Sequence, residues 1–153
     1  MYRPEHIFPT QGYSYVFVEQ PTSEIRMNFP APAFLTEAPT KDLFDRLTHL
    51  SVKYHTPFLP DSIPPSDAAF EDARKFVLTL PLTKIRNPSI HVAADGEVNF
   101  QWSGPDFKID LGFYGNGKFS FYAAKANRAP VIGDEVPVSV GLSEDLIGFA
   151  ANY

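Results

Sequence analysis

The stretch from Ser89 to Ala124 constrains this chain more than any other. Its apolar residues alternate with polar ones in four short runs, the period expected of half-buried strands. Ile90 and Val92 alternate with His91 and Ala93, and Val98, Phe100 and Trp102 alternate with Glu97, Asn99, Gln101 and Ser103. A two-residue Asp95-Gly96 turn between these runs would put the two apolar sets on opposite faces, since a slip of one residue inverts every side chain. A three-residue loop, Ala94-Asp95-Gly96, pairs Val92 with Val98 and Ile90 with Phe100 instead. Its last residue must be left-handed, which glycine allows.

The next runs follow the same logic. Phe107, Ile109, Leu111 and Phe113 form one side of a third strand, and Phe119, Phe121 and Ala123 one side of a fourth. A loop of Gly115-Asn116-Gly117 pairs Phe113 with Phe119 and Leu111 with Phe121. Between the second and third strands, a four-residue loop Ser103-Gly104-Pro105-Asp106 pairs Phe100 with Ile109. All three turns agree on one apolar face. They also line up His91, Asn99, Asp110 and Tyr122 as one polar row on the opposite face, with Asn99 and Tyr122 placed to donate hydrogen bonds to the Asp110 carboxylate.

Around this meander the chain supplies helices. Thr40 can cap a helix over residues 41–55, with Leu43, Leu47, Leu50 and Tyr54 at helical spacing. Ser66 caps a second over 67–80, whose stripe of Phe70, Ala73, Val77 and Leu80 is a natural cover for the apolar sheet face. Ser143 caps a third over 144–151. Val136, Val138 and Val140 alternate around Pro137, which restricts that segment to an edge strand or an extended loop. Tyr13, Tyr15 and Phe17, then Ile25, Met27 and Phe29, predict an additional N-terminal hairpin over about 12–29. The expected fold is a single α+β domain spanning 1–153: an antiparallel four-stranded meander over about 89–124, with helices packed on one face.

Composition narrows the function classes. With 18 acidic and 13 basic residues the net charge is −5, which suits a basic protein partner and argues against sequence-independent binding to phosphate backbones. The absence of cysteine excludes disulfides and thiolate metal sites. No apolar run approaches the ~18 residues of a membrane helix. The N-terminus Met1-Tyr2-Arg3-Pro4-Glu5 lacks the apolar core of a signal peptide, so a cytoplasmic location is expected.

Chemistry-bearing patterns are few. Asp45 and His49, four apart on a helix, make two metal ligands where zinc needs more, and no metal or cofactor is expected. Gly115-Asn116-Gly117-Lys118 lies between strands with no helix after it, so it reads as a turn and not a phosphate loop. The alternating aromatics of Gly117-Lys118-Phe119-Ser120-Phe121 have the pattern of an RNA-binding strand, but the registers turn them toward the core. There is no G-x-S-x-G nucleophile elbow. The His91, Asn99, Asp110 and Tyr122 row remains the candidate binding site, weighed against a solvated sheet face of mixed polar residues.

Several markers recur together: Pro65-Ser66 before a helix through Ala73-Arg74-Lys75-Phe76-Val77, then Leu80-Pro81, then Asp95-Gly96-Glu97-Val98 leading to Trp102, and later Gly133-Asp134-Glu135-Val136. In these the chain resembles small bacterial proteins of accessory and mobile genetic regions, over about half its length. It departs from them at Phe58-Leu59-Pro60-Asp61, where they often carry a tryptophan before the aspartate. The resemblance implies a setting of plasmids, phages and defence or toxin–antitoxin loci. The expected function is a non-enzymatic protein-binding inhibitor or regulator: an antitoxin, an immunity protein or an anti-defence inhibitor such as an anti-CRISPR. A small enzyme or ligand-binding domain using the polar sheet face is the first alternative, and a nucleic-acid-binding module the second.

Overall fold

A computed structural model describes residues 38–151. The hairpin expected over about 12–29 lies outside the described residues. In chain order the elements are α1 (Ala38–Lys53), α2 (Asp67–Val77), β1 (Ser89–Val92), β2 (Val98–Ser103), β3 (Phe107–Phe113), β4 (Lys118–Lys125), β5 (Val131–Pro137) and α3 (Glu144–Ala150). A short 3₁₀ turn, Val138–Val140, joins β5 to the last helix. The class is α+β, with an antiparallel sheet in the order β1-β2-β3-β4-β5. The sheet therefore has five strands where four were expected.

Two of the three turns have the expected lengths. Ile90 pairs with Phe100 and Val92 with Val98, and Gly96 takes φ +89° to close that loop. Phe113 pairs with Phe119 and Leu111 with Phe121. The β2–β3 connection differs. Ser103 pairs with Lys108, and Gly104 N–H donates to the Phe107 carbonyl at 3.0 Å, leaving only Pro105 and Asp106 in the turn. Proline presets the φ of a turn's first central residue, which permits this tighter closure. Phe100 consequently faces Leu111, and Trp102 faces Ile109. The correction is two residues, an even number, so every side chain keeps its face while its neighbours change.

The apolar face is covered as expected. Phe76 of α2 lies against Phe100, Phe113 and Phe119, with ring centroids 5.9, 5.2 and 4.9 Å away. Trp102 is buried, and its Nε1–H donates to the Arg86 carbonyl at 2.7 Å, so the one polar atom of the indole is satisfied. From α1, Leu43 and Leu47 are buried in the same core, and from α3 Leu146 and Phe149.

The helix limits shift for local reasons. α1 starts at Ala38, not after Thr40, which puts Pro39 in the first turn, where its missing N–H costs nothing. Ser66 caps α2 by accepting from Ala69 N–H at 3.1 Å. α2 stops at Val77 because the next three N–H groups, of Leu78, Thr79 and Leu80, bond three residues back instead of four. Ser143 caps α3 through Leu146 N–H at 3.4 Å. The last strand begins earlier than the valine alternation suggested. It runs Val131–Pro137, with an irregularity opposite Phe119 and Phe121 and Glu135 at φ +56°, and Val138 is buried beyond it in the 3₁₀ turn.

Candidate functional site

The polar face is the side of the sheet away from Phe76. Its geometry follows from the corrected β2–β3 register. His91 still pairs with Asn99, and Asp110 with Tyr122. Asn99, however, faces Gly112, and Asp110 faces Gln101. The single row therefore resolves into two. One reads His91, Asn99, Gly112, Ser120, and the other Ser89, Gln101, Asp110, Tyr122, Ile132. The four candidate residues share a face but not a line. The expected Asn99–Asp110 hydrogen bond is replaced, because Asn99 Nδ2 donates to the Leu111 carbonyl at 3.2 Å.

Burial separates the two ends of the face. His91, Glu97 and Asn99 are 5, 8 and 6% exposed. This end is not a solvated surface, and its side chains are not presented to an incoming partner. A Cβ built on Gly112 would overlap the Glu97 carboxyl group, so the glycine makes room for that side chain beside Asn99. Asn99 Oδ1 is buried and finds no hydrogen-bond partner among the described residues.

The centre carries Lys108 and Asp110, two apart on β3 with their charged atoms 4.0 Å from each other. Burial pushes the Lys108 ammonium below its ordinary pKa of 10.5, and the Asp110 carboxylate opposes that shift. A lysine with a lowered folded pKa binds fewer protons folded than unfolded across the interval up to 10.5. Raising the pH through that interval therefore favours the fold. Urea unfolding of the wild type and Lys108→Met across about pH 8–10 tests this. The wild type should gain stability relative to the variant as pH rises, and parallel profiles would show that Lys108 titrates as it does in the unfolded chain.

The accessible end lies over β3, β4 and β5. Tyr114 is 49% exposed, and its Oη donates to Asp95 Oδ2 at 3.0 Å. Lys118 pairs with Glu135 at 2.9 Å, and the Ser120 hydroxyl donates to Asp134. Tyr114, Lys118, Ser120, Asp134 and Glu135, together with Gly112 and Asn116, line a shallow recess of about 190 Å³. Tyr122 is half-buried beside the exposed Ile132.

No protein-family model, curated protein or solved structure matches the chain.

The remaining sequence candidates resolve individually. Asp45 accepts from Lys41 Nζ at 2.6 Å, one helical turn away. Among the described residues no three His, Asp or Glu side chains converge as metal ligands, and no described helix is long and apolar enough to cross a membrane. Phe119 is buried against Phe76, so it offers no ring to a nucleobase. Sequence reasoning missed Tyr114 and the Lys118–Glu135 and Ser120–Asp134 pairs. Those contacts cross from β4 to β5, and the β5 irregularity hides that strand's alternation. Asp72, in the first half of α2, has a role that the apolar stripe of the helix does not reveal. The side chain is buried, and Oδ2 accepts from Gly117 N–H at 2.7 Å, tying α2 to the β3–β4 turn.

Proposed function

We propose that the chain is a non-enzymatic inhibitor or regulator that works by occupying the surface of a protein partner. It would be an antitoxin, an immunity protein or an anti-defence inhibitor such as an anti-CRISPR, of bacterial or phage mobile-element origin and acting in the cytoplasm. The observation that supports this reading is the accessible end of the polar face. There an exposed Tyr114, the Lys118–Glu135 ion pair and the Ser120–Asp134 hydrogen bond surround a recess of about 190 Å³, and the half-buried Tyr122 follows Ser120 by two residues on the same face of β4. Small-molecule sites usually run from about 300 Å³ upward. A recess of this size matches one protruding side chain of a partner, and tyrosines in such a setting are the residue type that anchors protein interfaces. The net charge of −5 suits a basic partner surface. Of the four residues picked from the sequence, Tyr122 lies toward this end and Asp110 at the centre of the face, whereas His91 and Asn99 would act only by shaping it.

The test is affinity capture from a bacterial lysate, followed by titration of the retained protein against purified variants. Tyr114→Ala and Tyr122→Ala should each weaken binding at least about tenfold, with circular dichroism showing an unchanged fold. Capture of no specific protein, or undiminished binding by the double variant, would remove this reading.

A further inference from the structure

All three described helices bury side chains in one core with the apolar sheet face. An antiparallel sheet covered on one side leaves its other face to solvent. Yet on that other face the row His91, Asn99, Gly112 is buried, and so is Glu97 beside it. The burial is graded. In the neighbouring row Gln101, Asp110 and Tyr122 are half-buried, and Ile132 on β5 is 71% exposed. Whatever covers the face therefore lies over β1 to β3, near the β1–β2 turn, and thins out toward β5. Asn99 Oδ1, beneath it, is an acceptor with no donor among the described residues.

We infer that this cover is the chain's own N-terminal segment, with the hairpin expected over about 12–29 laid across β1 to β3. The exposures are those of a single copy, so the cover belongs to the same chain as the sheet. The point of entry agrees. α1 begins at Ala38, and Asn87, two residues before β1, donates from Nδ2 to the Pro39 carbonyl at 3.4 Å. The preceding chain thus enters beside the edge strand β1 and has only that edge to round. Residues 30–37 can span about 26 Å, against about 10 Å between packed layers. The chemistry agrees as well. Tyr13, Tyr15 and Phe17 with Ile25, Met27 and Phe29 make an apolar side that two strands alone cannot bury. A tyrosine covers a sheet with its ring while its hydroxyl donates, which is what the buried Asn99 Oδ1 requires. The Tyr114 end of the face stays open.

Thiol labelling of the full chain tests this, because the chain has no cysteine of its own. Asn99→Cys should react with a charged maleimide at least about tenfold more slowly than the exposed α1 variant Val52→Cys. Adding Phe17→Ser and Met27→Ser should raise the Asn99→Cys rate toward that of Val52→Cys. Emission from Trp102, buried on the opposite face, should stay unchanged and report that the helices remain packed on the sheet. A benzophenone attached to Gln101→Cys, half-buried on the polar face, reads the position without touching the hairpin, and so decides the matter even if the serine variants unfold. Its cross-links should fall within residues 1–37 of the same molecule, and those from Val52→Cys should not. Rapid labelling of Asn99→Cys, or protection that survives the serine substitutions with Trp102 unchanged, would overturn the inference. Cross-links from Gln101→Cys that miss residues 1–37 or join two molecules would overturn it equally.

Discussion

Replacing Phe76 by alanine is expected to cost about 3–5 kcal/mol of folding stability. The side chain has no solvent exposure, and its ring contacts one aromatic on each of three consecutive strands: Phe100 on β2, Phe113 on β3 and Phe119 on β4. Truncation loses the transfer free energy of the ring and leaves a cavity whose walls are other rings. Those walls cannot collapse easily, since Phe100 and Phe113 also pack on each other at 5.1 Å. The strands that carry them are fixed by the ladder, which places the site toward the costly end of the range. Leu78, two positions on and 69% exposed, supplies the contrast: Leu78→Ala should stay within about 0.5 kcal/mol of wild type. Equilibrium urea unfolding reads both. A loss below about 1 kcal/mol for Phe76→Ala would mean that this ring does not seat α2 on the sheet.

The same aromatic cluster shows why faces were legible in the sequence and rows were not. Burial enforces parity: an odd slip at any turn would have put Phe100 or Ile109 into water, and the alternation forbids it. An even slip carries no such cost. A four-residue β2–β3 loop and the observed Pro105-Asp106 turn bury the same residues, and they differ only in whether Phe100 meets Ile109 or Leu111. The apolar face of the meander was therefore readable, including the buried Trp102, with Phe121 only partly buried. The polar row was not, because its alignment depended on the turn whose length burial does not set. β5 was obscured for a related reason. Its irregularity near Asp134 and Glu135 breaks the alternation that marked the other four strands. The accessible end of the polar face, with the Lys118–Glu135 and Ser120–Asp134 contacts between β4 and β5, was hidden with it.

Gly115→Ala should be the most damaging single-methyl change in the β3–β4 turn. Gly115 and Gly117 both take left-handed conformations, at φ +92° and +77°. An alanine at either position meets the same backbone strain, about 1–2 kcal/mol. Their surroundings differ. A Cβ on Gly117 would meet nothing within 4 Å. A Cβ on Gly115 would lie 2.7 Å from both Ala69 N and Ser66 Oγ, the two atoms that make the α2 N-cap bond. Neither atom is the loose end of a flexible side chain. Ala69 N belongs to the helix backbone, and Ser66 is held by its capping role. Relief therefore requires the turn to lift off the helix or the cap to open. Opening the cap costs about 1 kcal/mol. Lifting the turn breaks the bond from Gly117 N–H to the buried Asp72, which leaves a carboxylate without its partner at a cost of about 1–3 kcal/mol. Gly117→Ala should then lose only the strain of about 1–2 kcal/mol, and Gly115→Ala about 3 kcal/mol or more. The difference between the two variants isolates the contact from the strain. Equal losses would mean that the turn does not rest on the end of α2 and that Asp72 alone joins the helix to the sheet there.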